Sequence, residues 1–469
     1  MFFVKAEKSS RLKIDMTKGS IMGRVLIFAI PIIIGNILQY LYTTVDTLVI
    51  GAYCGHTSLA AVGTSSQPVE VLLCIFLGIG TGISILISQC TGAGDTEKIK
   101  RICETTVSFV YLCGIPIAIL GWFYAPHMLR FMNVPADTFD AALMYTRIVL
   151  LAALGNIGYN VNAGILRGLG DSLASLLFLL VSCVVNIVLD ILLVAVFGMD
   201  VTGVAVATSI AMLLAWVSSI VYIRARFPHL KFTFLPKKLD VAELKSMLAI
   251  GLPIGLNNSL YSFGHVAIQS MVNIQGSVFM AGNSVAGRIT GLSNIAITGL
   301  SSSATAFSGQ NFGAGNYSRL KEGHLVIPLS SGLITLAFGL FFISIRMPIL
   351  RIFSKDETVL MYASRYVVVM LLSQWFYAIF NGIMCIVNGL GKVRYTTVIN
   401  ILMLWAVRIP AAWIITRYFD GTYIMLCFPI SFSFGMLCMV AYYIFSPSWK
   451  EVMEKGGGHM GIRSRVAVQ

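Results

Sequence analysis

An all-α integral membrane protein of twelve transmembrane helices, arranged as two homologous six-helix lobes, is the fold class this sequence predicts. Three observations predict it. The 469 residues are 57% apolar and only 11% charged, with a mean hydropathy of +0.84, whereas a soluble domain carries about 25% charge. The apolar residues gather in runs that reach the roughly 20 residues needed to cross a bilayer. One half of the chain also repeats the other.

The runs fall at 25–49, 66–90, 103–125, 138–160, 172–197 and 201–223, then at 246–271, 283–309, 325–346, 358–383, 395–417 and 421–445. The first is too long for the core of a secretory signal, so it reads as a retained span. Helices are expected because lipid leaves every backbone polar group to be satisfied within its own segment. The runs also exceed the alternating ten-residue strands of a membrane barrel. With the first residue on the cytoplasmic side, 24 of the 33 Lys and Arg residues fall in cytoplasmic segments; only Arg130, Arg346, Arg351, Lys355 and Arg417 fall in outer loops. That bias follows the positive-inside rule. It predicts a multi-pass cell-membrane protein with both termini in the cytoplasm, and it accounts for the net charge of +13 without nucleic acid. Membrane lipids are the expected surroundings, and no obligate protein partner is implied. Nine scattered cysteines form no CxxC pair or metal-type cluster, so neither a disulfide frame nor a metal cofactor is expected.

The repeat shows in 88-SQCTGAGDTEKIKR-101 against 309-GQNFGAGNYSRLKE-322. Gln89 matches Gln310, Gly92-Ala93-Gly94 matches Gly313-Ala314-Gly315, and Lys100 matches Lys321, all at an offset of 221 residues. The same offset relates Asn160 to Asn381 and Gly168-Leu169-Gly170 to Gly389-Leu390-Gly391, while Pro31 and Pro253 are related at 222. The chain therefore divides into an N-terminal lobe at 1–223, a basic linker at 224–245, a C-terminal lobe at 246–445 and a tail at 446–469. Six crossings per lobe make a parallel repeat, an arrangement of secondary transporters that place their site between repeats near mid-membrane. The Gln-x-x-Gly-Ala-Gly stretches sit where spans 2 and 8 end, where glycine permits the left-handed turn that stops a helix. No Gly-Lys-Ser/Thr follows, so no ATP loop is indicated.

Charges inside the spans are the candidates for chemistry, because burying one in a bilayer costs at least a few kcal/mol. Asp46 and Asp190 are the acids well within spans. At 1.5 Å per residue Asp46 lies about 31 Å along span 1 and Asp190 about 27 Å along span 5, both in the outer half. Thr208 of span 6 comes to similar depth, and Asn186 lies one turn from Asp190 on the same face. Two carboxylates, an amide and a hydroxyl can ligate a hard cation through oxygen. Burial also disfavours the charged carboxylate, so the same group can hold a proton. The competing reading is that each residue only caps or bridges helices.

Asn36, Gln39, Thr43 and Asp46 are spaced 3, 4 and 3 and mark one face of span 1, with Tyr42 beside them. Pro31, which removes a backbone hydrogen bond, permits a kink below it. The second half holds no matching acids but places His265, Gln374 and Arg408 within spans, along with Trp375, Tyr377 and several methionines. Asn36, Gln39, Tyr42, Thr43, Asn160, His265, Gln374 and Arg408 are the candidates for a substrate cavity.

With Pro31 through 45-VDTLVIG-51, the paired Gly-Ala-Gly stretches and 186-NIVLD-190, the chain resembles the multidrug and toxic compound extrusion (MATE) family over about 20–450. The resemblance implies a V-shaped antiporter that exports amphipathic, often cationic organic compounds in exchange for H⁺ or Na⁺. It also implies a cation site at Asp46, Asn186, Asp190 and Thr208. Acids that some relatives carry in spans 7 and 10 are missing here, which points coupling to the N-terminal lobe. Two other readings stay open: a lipid-linked saccharide flippase of the same superfamily, which would want a cationic cavity, and a membrane-embedded enzyme, which would need a nucleophile and base at matched depth.

Overall fold

A computed structural model describes residues 14–132 and 134–455. Lys5, Lys8, Arg11 and Lys13 of the expected cytoplasmic N-terminus, and Arg463 and Arg465 of the tail, lie outside the described residues. Each of the twelve sequence spans falls on a helical rod. In the first half these are α1 (Ile21–Tyr53), α2 (Gly55–Ala93), α3 (Thr96–Phe131), α4 (Ala136–Leu151 and Ala153–Gly168, bent by 48°), α5 (Ser172–Val196) and α6 (Asp200–Arg226). In the second half they are α7 (Val241–Asn273), α8 (Ser277–Gly313), α9 (Tyr317–Ser344), α10 (Glu357–Gly389), α11 (Val393–Tyr418) and α12 (Gly421–Phe445). A short helix, Pro447–Lys455, follows. Most rods outrun the apolar runs, whereas α5 and α12 keep close to their runs and α9 extends its run only at the start.

Among the described residues nine rods are long and apolar enough to cross a membrane, ten when the bent α4 counts as one. The two that fall short are α7 and α8. α7 packs along α2, and α8 packs on α1, α2 and α10; their hydropathy is lowered by Asn257, Asn258, Gln269, Asn283 and Asn294, of which Asn294 is exposed and the others are half-buried.

Five acids sit at helix starts, where four N–H groups lack partners. Asp95, Asp171, Asp240, Asp356 and Asp420 each accept a backbone N–H of the following turn. The helix stops repeat too: Gly94 and Gly315 have φ of 72° and 67°, and Gly170 and Gly391 have 91° and 81°. These are left-handed positions that glycine enters without strain.

Two buried cores correspond to the two lobes. α1 belongs to both. Its first turns, with Val25, Phe28 and Ile32, lie in the core of the second lobe. Tyr42 lies in that of the first, and Val49 and Ile50 pack on Val194 and Val204. Next to lipid these contacts stabilise through close packing rather than exclusion of water.

The lobes lock together at the end that carries the two Gly-Ala-Gly turns. Gln89 donates to the carbonyl of Gly389 at 2.8 Å, and Gln310 accepts the Met16 N–H at 2.9 Å. Any Cβ on Gly92 would strike the Gln310 carbonyl, and one on Gly313 would strike that of Gln89. The motif therefore uses its first glycine for lobe-to-lobe contact and its last for the turn. Above it α2 and α7 touch backbone to backbone: a Cβ on Gly82 would stand 2.6 Å from the Gly251 Cα.

Candidate functional site

α1, α5 and α6 bring four of the sequence candidates together in the N-terminal lobe. Asp46 presents its carboxylate to those of Asp190 and to the Asn186 amide. The Asn186 Nδ2 donates to the Thr208 hydroxyl at 3.3 Å. Asp190 is 0% exposed and Asn186 2%, while Asp46 and Thr208 are half-buried. The chain reaches this geometry by local means. Asn186 and Asp190 share a face one turn apart on α5, and α5 lies against both α1 and α6.

The donor balance of the cluster is one-sided. Among the described residues no hydrogen-bond donor meets the buried acceptors Asp46 Oδ1, Asn186 Oδ1 and the two carboxylate oxygens of Asp190. Leaving one buried polar group unsatisfied costs about 1–3 kcal/mol, more when it is charged. Four such oxygens converge from two helices, a set of acceptors that a proton on a carboxylate, a water or a hard cation can satisfy.

Directly after Asp190 the helix widens into a π turn, Ile191–Val196. Such turns are rare and concentrate at functional positions. The other intramembrane charge of this kind, Arg408, ends the π turn Leu402–Arg408 of α11. Sequence reasoning missed both turns. It also missed Tyr145 of α4, whose ring lies close enough to Asp46 and Asp190 to feel both charges, because a tyrosine amid apolar residues has no distinguishing pattern. Tyr42, Ser182, Asn186, Thr208, Ala211 and Met212 line a narrow crevice that touches the cluster and is too small to admit water.

The remaining cavity candidates do not form one surface. Tyr42 is buried in the N-terminal lobe, with Gln39 reaching its hydroxyl. Asn36 bridges the lobes through Thr298 Oγ1 at 3.4 Å, and the exposed Thr43 donates to the Tyr40 carbonyl at 3.0 Å. Asn160 turns back on its own helix, donating to the Asn156 side chain at 2.8 Å. α1 runs unbroken through Pro31. In the second lobe His265 is exposed on α7, and Gln374 is fully buried, donating to the Thr290 carbonyl at 3.2 Å.

Arg408 is 1% exposed, with Nε donating to Ser431 at 2.9 Å and Nη1 to Tyr261 at 3.0 Å. The guanidinium also lies 4.9 to 5.5 Å from the ring centres of Phe432, Phe428 and Tyr261. It sits in an aromatic cage rather than in an open cavity. Arg288 donates to the Tyr40 hydroxyl across the lobes at 3.0 Å.

Comparison with known proteins places this geometry. The family model described as MatE matches residues 31–192 and again 253–414, one match per lobe. A probable multidrug resistance protein of Bacillus subtilis, YoeA, is 29% identical over 450 residues, covering 93% of this chain and 96% of the relative. A second from the same organism, YpnP, is 26% identical with 93% and 97% covered. Among solved structures, an outward-facing multidrug resistance MATE family transporter superposes with a TM-score of 0.84 at 22% identity, over 94% of this chain and 99% of that one.

Proposed function

The chain belongs to the MatE family of multi-pass membrane efflux transporters, not enzymes, and from that premise we propose that it is a secondary antiporter exporting amphipathic, often cationic organic compounds in exchange for H⁺ or Na⁺. The coupling ion is taken at Asp46, Asp190, Asn186 and Thr208. The observation that carries the proposal is the set of buried oxygens on Asp46, Asn186 and Asp190 that no donor satisfies.

The exchange is a competition. An external cation enters between Asp46 and Asp190, neutralises them and lets α1 and α5 close together. The cavity of the lobe changes shape and the exported compound leaves. When the site next faces the cytoplasm the ion is lost, the carboxylates repel, and a new cationic compound is attracted. One charge crossing 100 mV contributes about 2.3 kcal/mol, which sustains roughly a fifty-fold concentration ratio. The protein resides in the cell membrane with the Gly-Ala-Gly turns and both termini in the cytoplasm, so the locked end described above is the cytoplasmic one. A flippase reading gains no support, because Arg408 is caged and Arg288 is engaged by Tyr40.

Dye efflux from everted vesicles, driven by a pH gradient or a sodium gradient imposed separately, tests the proposal. Efflux is expected under at least one gradient and absent in Asp46→Asn. Full gradient-driven efflux by Asp46→Asn would reject the assignment.

A further inference from the structure

A separate feature lies at the Gly-Ala-Gly end of the C-terminal lobe, on helices that carry none of the clustered carboxylates. There α9, α10, α12 and the short Pro447–Lys455 helix enclose a groove of about 510 Å³, within the range of roughly 300–1,000 Å³ typical of ligand sites. Its walls are hydrocarbon: Leu325 and Leu329 of α9, Ile383 of α10 and Ile444 of α12. Leu325, Leu329 and Ile444 are all more than half exposed, so the groove opens on the side that faces lipid.

Its rim is the opposite in character. Lys321 and Lys450 stand at the mouth, and among the described residues neither pairs with an acid. Trp449 stacks flat on Tyr443, with ring centres 4.3 Å apart, and both meet the His324 ring. Tyr443 also lines the groove, and among the described residues its buried hydroxyl has no hydrogen-bond partner. Aromatic rings and lysines at the end of apolar helices mark the headgroup level of a bilayer.

We propose that this groove is a binding site for one anionic phospholipid of the cytoplasmic leaflet. An acyl chain lies along the leucine and isoleucine walls. The phosphate meets Lys321 and Lys450. The lipid ties the Pro447–Lys455 helix to the lobe. Its assignment to the cytoplasmic leaflet rests on the orientation proposed above, but its binding chemistry does not. Charge complementarity decides the lipid class, since each lysine near anionic headgroups adds to attraction while a zwitterionic headgroup gains little.

Native mass spectrometry of the full chain in detergent, titrated with phosphatidylglycerol or phosphatidylcholine, reads occupancy without reference to orientation or transport. One phosphatidylglycerol is expected to bind in preference to phosphatidylcholine. Its affinity is expected to fall about thirtyfold in the double variant Lys321→Gln/Lys450→Gln. It is expected to hold in Lys237→Gln/Lys238→Gln, a pair of equal charge in the linker. Ile444→Trp, which fills the groove without touching charge, is expected to lower occupancy as well. Four outcomes would each overturn the proposal: equal binding of the two lipids, an equal loss in the linker variant, full occupancy in Ile444→Trp, or displacement by inorganic phosphate alone. Occupancy that appears only after removal of residues 456–469 would show the chain's own tail in the groove, and would overturn it too.

Discussion

Gly82→Ala adds one methyl group at the crossing of α2 and α7, and its effect can be worked from the contact itself. The added Cβ would meet the Cα and N of Gly251 at 2.6 Å and the Ile250 carbonyl carbon at 3.3 Å, all of them backbone atoms. Carbon atoms pack at about 3.5–4.0 Å, so the two helices must part by about 1 Å. Overpacking of this kind costs about 1–3 kcal/mol, equivalent to a five- to 150-fold shift away from the arrangement in which the lobes are locked at the Gly-Ala-Gly end. Spin labels on Glu97→Cys and Glu322→Cys, exposed residues of opposite lobes at that end, report the shift as a distance distribution in a variant freed of the nine native cysteines. Gly82→Ala is expected to populate a longer distance, and Gly251→Ala, whose Cβ would stand 2.6 Å from the Ile79 Cα, to do the same. Gly287→Ala, with nothing within 4 Å of its Cβ, is the control. An unchanged distribution in Gly82→Ala and Gly251→Ala would refute the reasoning.

Other expectations follow from buried polar groups. Arg408→Lys loses the fork that reaches Ser431 and Tyr261 and leaves a strongly hydrated ammonium among aromatic rings, whereas Arg408→Met removes the charge at similar volume. The Lys variant is expected to be less stable than the Met variant by about 2 kcal/mol in thermal unfolding; a Lys variant as stable as Met would contradict this. Asp171 caps α5 and accepts from the Tyr222 hydroxyl at 2.7 Å, and its burial pushes the carboxyl up. The folded state then holds this proton more tightly than the unfolded chain, so its contribution is complete at low pH and is lost as pH climbs through the raised carboxylate range. Asp171→Asn keeps the cap and is expected to flatten that decline, and an identical pH slope in the variant would refute the assignment. Tyr145→Phe removes only a hydroxyl beside Asp46 and Asp190 and is expected to change the cation concentration that supports half-maximal efflux, with little effect on thermal midpoint; an unchanged cation dependence would exclude a role for that hydroxyl.

Much of the fold could be read from the sequence because membrane spans are set by hydropathy and length, and the repeat by residue identity at a fixed offset. The turns at the Gly-Ala-Gly stretches were legible too, and Gly94 and Gly315 adopt positive φ; Gly170 and Gly391, read only as a repeat, do the same. Asp46, Asn186, Asp190 and Thr208 could be grouped because helical rise converts sequence position to depth. What depends on contacts between distant segments was not legible. The cage of Arg408 is completed by Tyr261, 147 residues away. Neither π turn leaves a mark in composition, since side-chain packing decides where a helix widens. The sharing of α1 between lobes was hidden as well, because Val25 and Tyr42 look alike as apolar positions of one span.

The most direct test of the central claim is the affinity of the purified protein for an exported dye, measured while H⁺ or Na⁺ is raised. The account expects one of these ions to weaken dye binding progressively in the natural chain, and expects Asp46→Asn/Asp190→Asn to bind dye with an affinity indifferent to both. Equal ion sensitivity in the double variant would contradict it.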